Sequence, residues 1–168
     1  HVPKTGGNPV QTTLLPFSDD HKTQKPKQDG QNRFGIRGPI TPRKHATLAE
    51  YTNALPDITT THQIMITVRH PFERAVSGYF SPHRWVGEQG QPKTVYWDET
   101  EFLAILSRPN FVPATTFLRV GTQITIPDII VRFENLQQDF NAGVCVLGLP
   151  QNLDLPHLNY SAAKSSLY

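Results

Sequence analysis

Two short segments of the sequence combine residue types that bind phosphate groups. The first covers residues 1–9 and reads HVPKTGGNP. Its paired glycines let the backbone turn tightly and approach a ligand without an intervening Cβ. Asn8 is a favoured N-cap and Pro9 a favoured first helical residue, so we expect Asn8 to cap a helix that begins at Pro9. The free N–H groups of such a helix bind phosphate, and Lys4 adds a cation. Taken alone, the segment is equally consistent with a glycine turn beside a surface lysine that binds no ligand.

The second segment covers residues 68–79 and reads VRHPFERAVSGY. Arg69 stands at the carboxyl end of a predicted strand, where open α/β sheets bind their ligands. Ser77 follows two turns into the next predicted helix, within reach of the same anion. An arginine fork and a hydroxyl together make a sound phosphate site. The simpler alternative is that Arg69 and Arg74 pair with neighbouring carboxylates. A structural ion network is the favoured interpretation of Arg74, Glu73 and Glu134.

Apolar periodicity predicts the elements that must position these segments. Two β-branched runs, residues 64–68 and 129–133, predict buried strands. Four segments predict helices: 47–55 with a capping box from Thr47 to Glu50, 71–79, 98–106 with Asp98 as cap, and 136–147, stopped by Gly148. We expect the inward faces to carry Phe72, Ala75, Val76 and Tyr79, then Phe102, Leu103 and Leu106, then Leu136, Phe140, Val144 and Leu147. Strand–helix alternation favours an α/β sheet with parallel strands.

Two stretches read as long loops, residues 16–44 and 81–97. Loops of this length inside a compact domain are often functional. Trp85, Tyr96 and Trp97 fall in the second loop and either line a cleft for a sugar ring or pack ordinarily. Cys145 falls on the apolar side of its helix, which predicts a small core residue.

Composition excludes several classes of protein. The chain has 168 residues and one cysteine, so a disulfide scaffold and a multi-cysteine zinc site are excluded. Residues 1–45 carry eight basic and three acidic side chains, and the remainder carries eight basic and eleven acidic ones. A basic first third suits a phosphate-bearing ligand, but it lacks the dense basic stripe with aromatics that is typical of nucleic-acid binders. No apolar run is long enough for a membrane segment.

The two phosphate-type segments together resemble a known family. Residues 1–7 (HVPKTGG) resemble the 5′-phosphosulfate loop of sulfotransferases that use 3′-phosphoadenosine 5′-phosphosulfate (PAPS). Residues 68–79 resemble their 3′-phosphate motif. The branch most resembled is the carbohydrate type, which includes Golgi heparan sulfate enzymes and small bacterial relatives. Residues 132–150 and 155–161 resemble later blocks of that branch, in the same order along the chain.

The resemblance implies a fold and a donor site. The fold would be a P-loop-like, three-layer α/β domain with a central parallel sheet, and residues 1–168 would form a single sulfotransferase domain. The 5′-phosphosulfate would be held by Lys4, Thr5, Gly6, Gly7 and Asn8. The 3′-phosphate would be held by Arg69 and Ser77. The segment over the nucleotide would contribute His157, Asn159 and Ser161. PAPS would be the co-substrate and adenosine 3′,5′-bisphosphate the product, with no metal required.

The transfer needs a deprotonated acceptor hydroxyl and a stabilised leaving oxygen. Lys4 is the candidate for the leaving oxygen, and His45 is the candidate base because it resembles the histidine that relatives carry between the two nucleotide motifs. An unperturbed histidine, with a pKa near ~6.5, takes a hydroxyl proton at neutral pH. The alternative reading of His45 is a loop histidine without a catalytic duty. Other candidate bases are His62, His70, His83 and Glu50.

The sequence thus predicts a PAPS-dependent sulfotransferase acting on a hydroxyl of a carbohydrate or another small polar acceptor. Two alternatives stay open. One is a P-loop-type kinase using ATP, although Lys4 precedes the glycines rather than following them. The other is a non-catalytic relative that binds a nucleotide or polyanion, since the family usually has Thr or Ser where this chain has Asn8, and Pro9 removes one N–H from the anion site.

The sequence also gives expectations about the ends of the chain and about the cellular compartment. The chain starts at His1 without a preceding apolar strand, and family members often continue beyond Tyr168 with a closing segment. We therefore expect both ends to be shortened. The lone cysteine favours a cytoplasmic, bacterial-type enzyme, with the Golgi lumen as the alternative if an upstream anchor is missing.

Overall fold

The computed structural model describes residues 1–24, 34–81 and 96–158. Their fold is mixed α/β, with a small parallel sheet flanked by helices. Strands β3 (Met65–Val68) and β6 (Ile129–Arg132) pair in parallel, with Met65 opposite Ile129 and Val68 opposite Arg132. The predicted strands and their parallel arrangement are confirmed. Their carboxyl ends therefore lie side by side, which brings Arg69 close to Phe133 at one edge of the sheet.

The other elements surround this pair. Helices of the described residues are α1 (Gly7–Leu14), α2 (Leu48–Ala54), α3 (Ile58–Thr61), α4 (Pro71–Tyr79), α5 (Glu99–Leu106) and α6 (Leu136–Val146). Antiparallel pairs are formed by β1 (His21–Gln24) with β2 (Phe34–Arg37) and by β4 (Arg119–Val120) with β5 (Gln123–Ile124). Short 3-10 helices cover Leu15–Phe17, Pro109–Phe111, Ala114–Leu118 and Phe133–Asn135. In these ranges, no helix combines the length and apolar character that crossing a bilayer demands.

Helix α6 buries its predicted face against β6. Phe140 and Val144 are fully buried and pack with Val131 and with Val10 of α1. Gly143 allows the close approach, because a Cβ there would lie 2.7 Å from Ile129 Cγ2. Burial of this much aliphatic and aromatic surface stabilises the fold by roughly 1.5–3 kcal/mol for each large side chain. The helix ends as predicted, at a left-handed glycine, Gly148.

The opposite side of the sheet packs against the amino-terminal residues. Val2 is fully buried and lies in one cluster with Ile66 of β3, Phe117 and Leu118. A third cluster joins α4 to α5 through Tyr79, Phe80 and Ile105. The segment that precedes α1 is thus held by apolar packing as firmly as a core element.

The predicted start of the first helix is wrong by two residues. Helix α1 begins at Gly7, and Gly6, not Asn8, is its N-cap. Gly6 adopts φ +80°, which reverses the chain before Asn8 is reached. Pro9 sits in the first turn without cost, because the N–H groups of that turn have no partner inside a helix.

The prediction of an unbroken loop over residues 16–44 is also wrong. This stretch contains the β1–β2 hairpin, in which Ile36 is buried and His21 pairs with Arg37. The ammonium groups of Lys22 and Lys44 lie 4.8 and 3.6 Å from the ring centre of Phe34. These contacts let a polar stretch form strands with little apolar content of its own. Residues 25–33 and 82–95, with His83 and Trp85, lie outside the described residues.

Several predicted inward side chains face solvent. Phe72 is 78% exposed, and the inward positions of α4 are taken by Arg74, Ala75, Gly78 and Tyr79. The predictions for Ala75, Val76 and Tyr79 are confirmed, since two are buried and Val76 packs against the same cluster, whereas the prediction for Phe72 is wrong. The buried Arg74 carries no apolar signal in the sequence. Phe72 stands in the first turn of α4, before the helix meets its neighbours.

Helix α5 turns two predicted core positions outward, and helix α6 turns one outward. In α5, Phe102 and Ile105 face α4, which leaves Leu103 and Leu106 exposed. Cys145 is exposed as well, so its prediction as a core residue is wrong. Adjacent helical residues point about 100° apart, and the inward positions of α6 are already set by its neighbour Val144.

The predicted capping box at α2 is confirmed and carries an additional ion pair. Thr47 Oγ1 accepts from the Glu50 N–H, and the Glu50 carboxylate accepts from the Thr47 N–H at 2.8 Å. Arg43 donates to both oxygens of Glu50, at 2.7 and 2.8 Å. These hydrogen bonds, chiefly those from Arg43, lower the pKa of Glu50 to about 2.

This lowered pKa predicts a pH-dependent contribution to stability. The contribution is complete above the ordinary glutamate pKa near ~4.5 and disappears as the pH falls toward 2. Glu50→Gln should lower the free energy of unfolding at pH 7 by up to about 1 kcal/mol. The difference from the native chain, measured by urea unfolding, should close between pH 4.5 and 2.5. Glu99→Gln, at an exposed position of α5, is the control, and a Glu50 difference that does not change with pH would contradict the assignment.

Candidate functional site

The loop before α1 forms a concave backbone surface. Lys4 has φ +68° and Gly6 has φ +80°, so the chain bends twice within three residues. Left-handed backbone at a lysine costs about 1–2 kcal/mol, which the surrounding contacts must offset. Helix α1 then begins, and within the described residues its first turn has neither a side-chain cap nor an acidic residue. Its first N–H groups therefore have no side-chain cap, and they lie at the positive end of the helix dipole.

Both glycines of the turn are required by packing. A Cβ on Gly6 would lie 2.8 Å from Cδ2 of Phe133, and its next neighbours are the methyl groups of Leu136. A Cβ on Gly7 would overlap the imidazole of His1. The turn is thus pressed against β6 and α6 on one side and covered by His1 on the other.

Thr5 ties this turn to the sheet. Its Oγ1 donates to the carbonyl oxygen of Val2 at 2.8 Å and lies 2.6 Å from Thr67 Oγ1 on β3. Because a hydroxyl has one proton, Thr67 must be the donor between the two side chains. Thr5 is 1% exposed. Its hydroxyl is therefore engaged within the fold, and what it offers a ligand on the loop side is its backbone.

Arg74 ties the same turn to α4. Its Nε donates to the carbonyl oxygen of Pro3 at 3.0 Å, and its Nη1 donates to that of Val112 at 2.8 Å. The guanidinium also lies 5.5 Å from the centre of the Phe111 ring. The residue is buried, and burial lowers its pKa from the ordinary arginine value. A charged donor buried against two carbonyls fixes the position of the loop.

Lys4 points along the same helix. Its Nζ donates to Ser81 Oγ at 3.2 Å, and Ser81 is buried just after the end of α4. Lys4 itself is half-buried. The ammonium group is thus held at the carboxyl end of α4, close to the turn that its own backbone forms.

Arg69 lies at the other end of α4. Its guanidinium stacks on the Phe133 ring at 3.8 Å, and its Nη2 lies 3.2 Å from Glu73 Oε2. The side chain is only 7% exposed. Since a Cβ on Gly6 would lie 2.8 Å from Cδ2 of the same ring, the glycine turn and Arg69 both lie against Phe133. The structure therefore brings the two phosphate-type segments together.

Ser77 lies on the face of α4 that joins these groups. Glu73 and Ser77 are four residues apart, so they share one side of the helix. Ser77 is half-buried. Arg69 contacts Glu73, and Lys4 contacts Ser81 four residues beyond Ser77. Ser77 thus stands between the two cationic side chains along the helix.

The predicted ion network joined Arg74, Glu73 and Glu134, but the Arg74 guanidinium donates to two backbone carbonyls instead. Arg69 pairs with Glu73, and Glu134 accepts from the backbone N–H of His70 at 2.8 Å. This hydrogen bond, with a smaller contribution from the nearby charge of Arg69, lowers the pKa of Glu134. Two carboxylates therefore accompany Arg69 at the sheet edge.

His45 lies beside the glycine turn. Its Nδ1 is 3.1 Å from the carbonyl oxygen of His1, and the two imidazole rings are 4.5 Å apart. A carbonyl oxygen only accepts, so Nδ1 carries the proton in this contact. In the neutral ring the lone pair is then on Nε2. His45 is half-buried and is held in the tautomer that a base acting through Nε2 requires.

The other candidate bases are less suited by their surroundings. His62 is exposed and its Nδ1 lies 2.9 Å from the neighbouring Thr61 hydroxyl. His70 is exposed, with its ring near Phe72. Glu50, with its pKa lowered to about 2, is a poor proton acceptor at neutral pH. Among the described candidates, His45 is the one in contact with the phosphate-type loop.

Of the remaining predicted site residues, some lie within the described part of the chain and others lie outside it. His157 is exposed and follows Leu155, whose N–H donates to Gln137 Oε1 near the start of α6. Asn159 and Ser161 lie outside the described residues. Trp97 packs on Tyr79 and Phe102, with ring centres 5.1 and 4.8 Å away, and it remains 51% exposed.

Comparisons of the chain with protein-family models, with curated proteins and with solved structures found no match. The geometry of the site is therefore the basis for assigning a function. It offers a helix N-terminus, two cations at opposite ends of α4, a hydroxyl between them, and an imidazole at the loop. In residues 1–24, 34–81 and 96–158, His, Cys, Asp and Glu side chains form no group that could hold a metal ion.

Sequence reasoning missed three residues that assemble the site. Phe133 supports Arg69, Thr67 holds Thr5, and Ser81 holds Lys4. A threonine inside the apolar run of β3 was a usable signal for a buried hydrogen bond. Phe133 and Ser81 gave no such signal, because their partners are distant in sequence.

Arg74→Lys tests whether the buried guanidinium holds the loop. Lysine cannot reach both carbonyls with one ammonium, so the free energy of unfolding should fall by about 1.5–3 kcal/mol. Denaturant unfolding would measure this loss. Arg119→Lys is the matched control at an exposed arginine with one long hydrogen bond, 3.4 Å, and should change little. Equal effects of the two substitutions would contradict the role given to Arg74.

Proposed function

We propose that this protein is a sulfotransferase that moves a sulfuryl group from PAPS to a hydroxyl of a carbohydrate or another small polar acceptor. The supporting observation is that the glycine turn and Arg69 both lie against the Phe133 ring, where a Cβ on Gly6 would be 2.8 Å from Cδ2 and the Arg69 guanidinium carbon is 3.8 Å from the ring centre. A donor with phosphates at both the 5′ and 3′ positions needs two anion sites at a fixed separation. The proposal includes a P-loop-like, three-layer fold around the parallel pair β3–β6.

The 5′-phosphosulfate would sit at the start of α1. The N–H groups of Gly6, Gly7 and Asn8 lie at the first turn, and Lys4 is the nearby cation. Pro9 leaves this turn with three N–H donors where four are usual. Part of the anion's stabilisation must then come from Lys4, whose ammonium would exchange the Ser81 hydroxyl for a phosphosulfate oxygen.

The 3′-phosphate would sit between Arg69 and Ser77. Arg69 is already ordered by Phe133, so binding would cost little side-chain entropy. Glu73 shares the guanidinium and lies about half-way along the helix face toward Ser77. Its carboxylate would compete with the phosphate for Arg69, which makes the donor affinity lower than the number of cations suggests.

The transfer step follows from the position of His45. The acceptor oxygen forms a bond to sulfur, and the bond between sulfur and the 5′-phosphate oxygen breaks. The electron pair remains on that phosphate oxygen, and adenosine 3′,5′-bisphosphate leaves. The acceptor proton passes to Nε2 of His45, which is the unprotonated nitrogen of the neutral ring when Nδ1 donates to the His1 carbonyl. Lys4 stabilises the charge that develops on the leaving oxygen, so catalysis is positioning and electrostatics.

Nucleotide selectivity tests the donor proposal. Isothermal calorimetry should find that adenosine 3′,5′-bisphosphate binds more tightly than adenosine 5′-monophosphate. Arg69→Gln should weaken the bisphosphate by about 10- to 100-fold, since a charge-assisted hydrogen bond contributes about 1.5–3 kcal/mol, and should leave the monophosphate unchanged. Glu73→Gln should strengthen the bisphosphate by about two- to fivefold. Equal affinity for both nucleotides, or a preference for ATP with magnesium, would contradict the proposal.

The role of His45 is tested by turnover. His45→Ala should lower kcat by about 10²–10⁴-fold, as expected for loss of a general base, and leave bisphosphate affinity unchanged. His62→Ala is the control at an exposed histidine away from the loop. Sulfate transfer from labelled PAPS would give the rates. An unchanged kcat in His45→Ala would show that His45 is not the general base.

A further inference from the structure

The imidazole of His1 lies at the start of α1. A Cβ on Gly7 would overlap its Cδ2 and Nε2 atoms. In a helix the Cα–Cβ bond tilts toward the amino-terminal end, so the ring edge that carries Nε2 lies on the side of the first turn toward which the unpaired backbone N–H groups point. The imidazole is therefore placed beside the proposed 5′-phosphosulfate site.

Contacts with two neighbours hold this ring in place. Its edge lies against Gly7, and the His45 ring packs on it with the ring centres 4.5 Å apart. His45 Nδ1 also donates to the carbonyl oxygen of His1 at 3.1 Å, which fixes the backbone that carries the ring. A side chain that is ordered before its ligand arrives loses little entropy on binding.

The two ring nitrogens of His1 have different surroundings. Nδ1 is enclosed and has no hydrogen-bond partner within the described part of the chain, whereas Nε2 is not enclosed in this way. A neutral imidazole has one N–H and one lone pair. A buried N–H without an acceptor is rarer than a buried acceptor without a donor, so the lone pair belongs on Nδ1 and the proton on Nε2. The nitrogen at the start of α1 is thus a hydrogen-bond donor.

The first turn of α1 lacks one backbone donor. Pro9 has no N–H, so the turn offers an anion the N–H groups of Gly6, Gly7 and Asn8, where four donors are usual. A donor on the imidazole edge beside Gly7 would restore the fourth.

We propose that His1 is a binding residue for the 5′-phosphosulfate and donates from Nε2 to one of its oxygens. This inference rests on the proposed sulfotransferase function and adds a residue to its donor site. The 5′ end of the nucleotide is then held by the glycine turn, Lys4 and His1, whereas Arg69 acts on the 3′ end. A loss at His1 must therefore weaken every nucleotide that carries a 5′-phosphate, with or without a 3′-phosphate.

Two substitutions of His1 separate hydrogen bonding from packing. His1→Phe keeps a planar ring and removes the donor, whereas His1→Gln removes the ring and places an amide N–H near the position of Nε2. Calorimetry with the full chain should find that His1→Phe weakens adenosine 5′-monophosphate and adenosine 3′,5′-bisphosphate by the same factor, about 10- to 100-fold. His1→Gln should recover most of this affinity for both nucleotides.

His62→Phe is the matched control, because His62 is exposed and its Nδ1 lies 2.9 Å from the hydroxyl of Thr61. It should leave both affinities unchanged. Affinity in His1→Gln that is no higher than in His1→Phe would assign His1 to packing and overturn the proposal. A loss in His1→Phe that is confined to the bisphosphate would also overturn it, because His1 would then act at the 3′ end.

The native chain provides a test that needs no substitution. Long-range ¹H–¹⁵N NMR spectra should place the proton of the His1 ring on Nε2, and this resonance should shift when the monophosphate binds. A proton on Nδ1, or an Nε2 resonance that the monophosphate leaves unchanged, would contradict the proposal.

The same titrations separate failure of this inference from failure of the proposed function. If the native chain binds neither nucleotide, the donor site and the role of His1 fail together. If the native chain prefers the bisphosphate and His1→Phe binds both nucleotides as tightly as the native chain does, the proposed function stands and the role of His1 alone is wrong.

Discussion

The glycine turn and Arg69 are held at one fixed separation by the ring of Phe133. A Cβ on Gly6 would lie 2.8 Å from Cδ2 of this ring, and the Arg69 guanidinium carbon lies 3.8 Å from the ring centre. The ring follows β6 directly, and β6 pairs in parallel with β3, the strand that precedes Arg69. The parallel register of two strands thus sets the spacing between the glycine turn and Arg69. A side chain on Gly6 would separate the turn from the ring, which explains why the position requires glycine.

Polar contacts hold the rest of the loop with little freedom. Thr5 bonds to β3 through Thr67, and Arg74 bonds from α4 to the carbonyl of Pro3. These groups are buried, and each would leave an unsatisfied partner if it were lost. The loop can therefore keep a left-handed Lys4, because its neighbours fix the backbone on both sides. A preorganised loop loses less entropy when it binds an anion, so the same contacts that stabilise the fold also favour binding.

Local patterns predicted the elements that have strong local signals. The strands at Met65 and Ile129, the capping box at Thr47 and the glycine stop at Gly148 follow from residue type and spacing alone. The errors arise where long-range contacts override local preference. Gly6 caps α1 ahead of Asn8, because the turn must fit against Phe133. Phe72 and Cys145 are exposed, because the inward positions of their helices are set by which neighbours each helix meets.

The candidate site was predictable in its parts but not in its assembly. Lys4, Arg69 and His45 are identifiable from residue chemistry, and the structure brings each to the glycine turn or to the ring beside it. The hydrogen bond from His45 to the His1 carbonyl spans 44 residues and has no local signature. The same is true of the shared ring of Phe133.

Amide and arginine side-chain NMR during titration with adenosine 3′,5′-bisphosphate tests the central claim most directly. The account predicts that the Gly6, Gly7 and Asn8 amides and the Arg69 Nε–H shift together along one binding curve, and that adenosine 5′-monophosphate shifts the amides alone. Shifts at only one of the two segments with the bisphosphate, or two curves with different midpoints, would show that the turn and Arg69 do not hold the two ends of one nucleotide.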